Sequence, residues 1–226
     1  CVNDTLKQES HLENYEFLKY FLFTTFFQRM YLRKGKIIVI EGIDKAGKTT
    51  QAKLLQKKLR SKCVRFDFPD YSTPVGKEIK QFLDGKRDYS DEVKMILLSA
   101  NRWEKKAEIQ RVIGKGTTII MNRYYQSNLV YGISKGLKLD WLLALDKGLP
   151  RADLVLVIDI KTNTLVTRSK NGIIDTFEKD LELIRKVKKN YRILANKFNW
   201  SIIDGEKSVD DVHYQVLKIV KKIVKI

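Results

Sequence analysis

The stretch Gly42-Ile43-Asp44-Lys45-Ala46-Gly47-Lys48-Thr49 constrains this chain more than any other. The pattern GxxxxGK[ST] works only as the turn between a buried strand and a helix, so it dictates a strand–loop–helix unit. The flanks comply. The apolar run 37–40 precedes the loop, and Ala52, Leu54, Leu55 and Leu59 follow at helical spacing. Gly42 and Gly47 let the backbone turn its N–H groups onto phosphate oxygens, and the helix start adds positive potential. Lys48 is placed to bridge the β- and γ-phosphates of a nucleoside triphosphate, and Thr49 to ligate Mg²⁺. The loop residues Gly42, Ile43, Asp44, Lys45, Ala46, Gly47, Lys48, Thr49 and Thr50 are therefore the candidate triphosphate site.

The remaining punctuation fits the same kind of fold. Short apolar, β-branched runs at 64–68, 118–121, 154–158 and 201–203 read, like 37–40, as strands buried on both faces. Helical patterns lie between them. One starts at the N-cap Ser90, carries Asp91 and Glu92 in its first turn, and runs to about Gly114. Others cover about 178–198 and 209–224. Strands alternating with helices predict an α/β fold with a mostly parallel sheet.

Composition narrows the class. With 226 residues, 44 Lys+Arg against 27 Asp+Glu and a net charge of +17, the chain is long enough for one well-packed α/β domain. The charge follows helical faces, as in Arg185, Lys186, Lys188, Lys189 and Arg192, with Ile184, Val187, Tyr191 and Leu194 opposite. A solvated face explains it more simply than a nucleic-acid surface. Cys1 and Cys63 cannot build a disulfide framework or, with two histidines, an ordinary zinc module. No apolar run approaches the roughly 18–20 residues that cross a bilayer. Residues 1–29 differ from the rest, with a mixed polar start and the short apolar run 20–27. They are expected to be an appendage, with the main domain over 30–226 and a cytoplasmic location.

Several ordered motifs resemble the thymidylate kinase family. They are Ile40-Glu41-Gly42-Ile43-Asp44-Lys45-Ala46-Gly47-Lys48-Thr49-Thr50-Gln51, Phe68-Pro69-Asp70-Tyr71-Ser72-Thr73-Pro74 and Ser99-Ala100-Asn101-Arg102-Trp103-Glu104. Asn122-Arg123-Tyr124 with Ser127, Asn128 and Tyr131 follows, and then Gly148-Leu149-Pro150-Arg151-Ala152-Asp153-Leu154. The Ser99–Glu104 string is the most telling, since a helix as such does not require it. The resemblance implies a P-loop three-layer α/β/α fold with five parallel strands in order 2-3-1-4-5, a homodimer, and Mg²⁺-dependent transfer of the ATP γ-phosphoryl group to dTMP. It implies that Asp44 accepts a hydrogen bond from the sugar 3′-OH, that Lys45 faces the moving phosphoryl group and that Arg123 clamps the dTMP phosphate. Arg102 would meet thymine O4, with Asn128 and Ser127 near the base edge, Tyr131 against the sugar 2′ position, and Phe68 and Tyr71 as walls. Arg168, at the start of a lid over about 168–178, would cover the adenine, with Thr176 where other members carry Arg and Glu178 at the lid's end.

Three residues depart from the family pattern. Asn122 replaces an Asp that would have an indirect part in Mg²⁺ binding, Leu98 replaces an aromatic that stacks on thymine, and Tyr71 replaces an Arg used by some members. Two other readings stay open on sequence alone. One is a related kinase acting on another pyrimidine nucleotide or deoxynucleoside. The other is a basic ATP-binding, nucleic-acid-associated protein without kinase activity.

Overall fold

The computed structural model describes residues 35–169 and 181–225. The appendage expected over 1–29 and most of the expected lid, including Thr176 and Glu178, lie outside the described residues. Strand β1 (Ile37–Glu41) is the axis of the sheet. Ile37, Ile38, Val39 and Ile40 are each at most 1% exposed, and side chains so enclosed contribute roughly 1.5–3 kcal/mol apiece. Around β1 stand β2 (Cys63–Asp67), β3 (Thr118–Asn122), β4 (Leu154–Asp159) and β5 (Ser201–Asp204). The order is β2-β3-β1-β4-β5, as the family resemblance implies. Every pair is parallel, and Ile38 stands between Ile120 on one side and Leu154 on the other.

Among the described residues, nine α-helices flank the sheet: α1 (Lys48–Leu59), α2 (Pro74–Leu83), α3 (Asp91–Glu104), α4 (Lys106–Gly114), α5 (Tyr125–Ser134), α6 (Leu139–Leu145), α7 (Thr162–Ser169), α8 (Leu181–Phe198) and α9 (Val209–Val220). Helix α1 packs on β1–β3 and on α9, whereas α8 covers β4 and β5 and meets α5. Parallel strands send all their carboxyl ends to one edge, so the loops after β1, β2, β3 and β4 converge there.

The helix expected over 90–114 is two helices. Ser90 does cap α3, accepting from the Val93 amide at 3.3 Å. At Lys105 the amide donates back to Arg102 O at 3.1 Å, a tightened turn that breaks the axis. The Lys105 ammonium then pairs with Asp70 at 2.9 Å and Glu108 at 3.3 Å. The last helix ends at Val220 rather than 224, because Lys222 and Ile223 bond three residues back, to Ile219 O and Val220 O.

Candidate active site

Two glycines form the phosphate loop for different reasons. Gly42 has φ 137°, and a Cβ there would sit 2.5 Å from Ile158 O at the end of β4. Gly47, at φ 98°, is the N-cap of α1 and supplies no side chain to the first-turn amides. The helix start is thus uncapped, as an anion-binding site requires. Lys48 is 6% exposed and donates to Ile43 O at 2.7 Å, with Asp44 at 3.5 Å. Lys45, Gly47, Lys48, Thr49 and Thr50 line an open pocket, together with Tyr71, Asn122, Leu165 and Arg168. Ile43 and Ala46 turn into the core instead, at 2% and 3% exposure, so they shape the loop from behind.

A second, smaller pocket adjoins the first. Leu98, Arg102, Ser127, Asn128 and Tyr131 line it, with Met95 and Pro69. Asp44, Phe68, Leu83 and Arg123 belong to both pockets, so the two cavities meet at a carboxylate and a guanidinium. Arg123 has φ 65°, and its amide donates to Ile40 O at 3.0 Å, anchoring that bend to β1. Its guanidinium donates to Asp44 and, at 3.3 Å, to Ser127, and its Cζ lies 5.6 Å from the Tyr131 ring centre. Burial pushes the Asp44 carboxyl up, but the charges of Arg123 and Lys48 and the hydrogen bonds from both outweigh it and hold the group well below the usual carboxylate range.

The other expected residues fall around this junction with differing contacts. Asn122 donates to Thr49 Oγ1 at 3.2 Å and to Asp67 at 2.9 Å, while its own buried Oδ1 has no partner. Asn128 is 1% exposed and spends its Nδ2 on Met95 O at 2.9 Å, which leaves its buried Oδ1 unsatisfied. Arg168 reaches Lys45 O at 3.0 Å and Gly205 O at 3.4 Å, tying the phosphate loop to the turn after β5.

Two carboxylates that sequence reasoning passed over organise the site. Glu41 is 0% exposed and accepts from the Tyr124 amide at 2.9 Å, Ser127 Oγ at 2.7 Å and Tyr191 OH at 2.9 Å. Burial, and next the Glu41 carboxylate itself, push the Tyr191 phenol well above its ordinary value. Asp146 takes Arg102 Nε at 3.0 Å and Nη2 at 2.9 Å. One sequence signal was available for Glu41, a charged residue ending an otherwise apolar strand. Asp146 offered none.

The Ser99–Glu104 string has structural demands after all. Ser99 binds Asp146 and Leu145 O, Asn101 binds Asp70 and Thr73, Trp103 Nε1 donates to Leu145 O at 2.9 Å, and Glu104 accepts from the Val75 amide at 3.2 Å. The helix itself does not need these residues, but the loops packed on it do.

Hard oxygen donors for Mg²⁺ are few, as suits an ion held mainly by nucleotide phosphates and water. The Thr49 hydroxyl and the Asp67 carboxylate both accept from the Asn122 amide beside the phosphate loop, and these two hard oxygens fit such an ion. Among the described residues no cluster of three His, Cys, Asp or Glu side chains could hold a metal alone. No helix among them is long and apolar enough to cross a membrane.

Comparison with known proteins agrees with this geometry. The family model described as thymidylate kinase matches residues 40–216. The thymidylate kinase of Schizosaccharomyces pombe is 38% identical over 198 residues, covering 84% of this chain and 93% of that protein. The human thymidylate kinase is 32% identical over 194 residues, covering 83% and 90%. Among solved structures, the thymidylate kinase of Candida albicans superposes with a TM-score of 0.76 at 33% identity, covering 84% of this chain and 92% of that one.

Proposed function

The chain belongs to the thymidylate kinase family and phosphorylates dTMP to dTDP with ATP, and from that premise we propose how its residues divide the work. One observation carries the division: Asp44 and Arg123 form the wall common to the open pocket over the phosphate loop and a smaller, more apolar one. ATP takes the larger pocket, with its phosphates on the loop amides and Lys48, and dTMP takes the smaller, more apolar one.

The reaction breaks the bond from the γ-phosphorus to the β–γ bridging oxygen. It forms one from that phosphorus to an oxygen of the dTMP 5′-phosphate, releasing ADP. The attacking oxygen is already ionised, so no base is required, and the protein's task is alignment and neutralisation. Lys48, Lys45 and Arg123 supply that positive charge. Asp44 is the counterion of Arg123, and the acceptor phosphate takes its place on the guanidinium when dTMP binds. Asp44 then serves the sugar hydroxyl. Arg102, Asn128 and Ser127 face the base, Leu98 offers it apolar contact, Tyr131 and Phe68 wall the sugar, and Tyr71 borders the ATP side. Thr49, with Asn122 acting through it, would hold Mg²⁺, which would supply charge neutralisation during transfer. Arg168 covers the adenine.

Residues 30–226 are the kinase domain in this reading, which the family-model match over 40–216 supports, and 1–29 are an appendage. A cytoplasmic homodimer completes it. The exposed stripe Val93, Ile96 and Trp103 on α3, with Leu143 on α6, supports that assembly. Ile96→Glu would convert a dimer to monomers in sedimentation velocity. A wild-type monomer at assay concentration would remove the claim.

The functional test is ADP release with ATP and Mg²⁺ against dTMP, dUMP, dCMP, UMP, CMP and thymidine. A strong preference for dTMP is expected, despite Leu98 and Asn122. Preference for a different acceptor would discard the base-reading assignments while keeping the phosphate chemistry.

A further inference from the structure

Asp146 is the C-cap residue of α6 and lines neither pocket, yet its carboxylate is 4% exposed and bonded bidentately to Arg102, itself 3% exposed. A guanidinium this deep is costly without an anion beside it, and the fork-to-fork arrangement fixes both its charge and its plane. Nε and Nη2 are taken at 3.0 and 2.9 Å. The remaining nitrogen, Nη1, is what Arg102 has left to offer the pocket it helps to line. Ser99 holds the carboxylate in turn, at 2.9 Å, while bonding Leu145 O at 3.0 Å.

We propose that Asp146 is a positioning residue for acceptor choice: by occupying the Nε/Nη2 edge of the Arg102 guanidinium, it aims Nη1 into the acceptor pocket as a pure hydrogen-bond donor. Arginine has no acceptor atom. A base presenting a carbonyl at that position is bound, and one presenting an amino group meets donor against donor. Discrimination between 4-keto and 4-amino pyrimidine nucleotides therefore depends on a residue that touches neither. The inference rests on Arg102 facing the base, as proposed above.

The substitution Asp146→Asn retains shape and one acceptor oxygen, but removes the charge and turns an N–H group toward Nη2, so the guanidinium must rotate. Steady-state kinetics of wild type, Asp146→Asn, Ser99→Ala, Arg102→Met and the Asp146→Asn/Arg102→Met double variant would be measured with dTMP and dCMP. For Asp146→Asn, KM for dTMP is expected to rise about tenfold or more, with a matching fall in the dTMP-over-dCMP ratio of kcat/KM. KM for ATP should stay near the wild-type value, because the triphosphate pocket is untouched. Ser99→Ala should move the same quantities in the same direction by a smaller factor, and it decides the matter if Asp146→Asn does not fold. In the Arg102→Met background, Asp146→Asn should leave the ratio where Arg102→Met put it. If Arg102→Met collapses the ratio while Asp146→Asn and Ser99→Ala preserve it, Asp146 has no positioning role. If Arg102→Met itself preserves the ratio, the base-facing assignment of Arg102 fails first.

Discussion

Arg123 donates to Asp44 where the two pockets share a wall, so opposite charges stand at the junction between them. The guanidinium is held there by a left-handed backbone bend and by Ser127. Replacing Arg123 with Ala should lower kcat/KM for dTMP by about 10²- to 10³-fold, the usual loss when one preorganised cation or donor is removed from a developing charge. KM for ATP should change little. A matching rise in KM for ATP would place Arg123 in the fold rather than at the acceptor.

The same pair makes a statement about pH. Burial raises the Asp44 carboxyl, Arg123 and Lys48 lower it, and the lowering wins. A carboxyl depressed in the folded state stabilises the protein above its unfolded pKa, near ~4, and that stabilisation is lost as pH falls through the folded value. Thermal midpoints of wild type and Asp44→Asn should therefore keep a constant separation from neutral pH down to about pH 5. In stronger acid the wild type should lose more. Separation that already narrows between pH 7 and 6 would contradict the depressed carboxyl.

The sheet was legible because β1 and β4 are near-continuous apolar runs, with β1 buried on every residue. The edge strands β2, which carries Arg65 and Asp67, and β5 are only partly buried rather than covered on both faces. Helix α5 was not, since Gln126, Asn128 and Ser134 are buried alongside Leu129, Val130 and Tyr131, and so its helical period is hidden. The break at Lys105 depends on Asp70, 35 positions earlier in the chain, and no local pattern encodes it. The site divides in the same way. Gly42, Lys48 and Arg123 announce themselves through local motif chemistry. Asp146 acquires its meaning only when α6 brings it against Arg102.

Asn122→Asp tests how the metal side tolerates its substitution. Asn122 now donates to Asp67 at 2.9 Å and to Thr49 at 3.2 Å. A carboxylate there would face Asp67 without a proton to share, and adjacent like charges destabilise by roughly 1 kcal/mol. The variant should unfold a few degrees lower in EDTA, and Mg²⁺ with ATP should recover most of that loss, whereas wild type should gain less. Differential scanning fluorimetry with and without Mg²⁺–ATP reads both effects. An undiminished midpoint in EDTA would mean Asp67 is neutralised elsewhere.

Asn101 is 0% exposed and staples the loop after β2 to α3. Its Oδ1 accepts from the Asp70 amide at 2.8 Å, and its Nδ2 donates to Asp70 O at 3.1 Å and Thr73 Oγ1 at 2.7 Å. Asn101→Ala orphans the backbone N–H of Asp70 and should cost about 2–4 kcal/mol in urea unfolding. The loop carries Phe68, which lines the acceptor pocket, so KM for dTMP should rise as well. A loss under about 0.5 kcal/mol, the range of ordinary surface substitutions, would show that the loop has other moorings.

Glu41 invites a graded test because its three donors differ in what they can do instead. The Tyr124 N–H can only donate, whereas the Ser127 and Tyr191 hydroxyls can turn and accept. In Glu41→Gln, the amide oxygen can keep the Tyr124 bond while the new NH₂ donates to a rotated hydroxyl. The loss should be about 1–2 kcal/mol. Glu41→Ala leaves all three donors unmet in a site closed to water and should cost about 3–5 kcal/mol. Tyr191→Phe removes one bond, and its loss should be about 1 kcal/mol. Because Ser127 also holds Arg123, KM for dTMP should follow the same order across the three variants, with KM for ATP flat. Chemical denaturation and steady-state kinetics on one set of preparations would read both. If Glu41→Gln proves as damaging as Glu41→Ala, the negative charge itself, rather than the hydrogen-bond geometry, is what holds the acceptor loop.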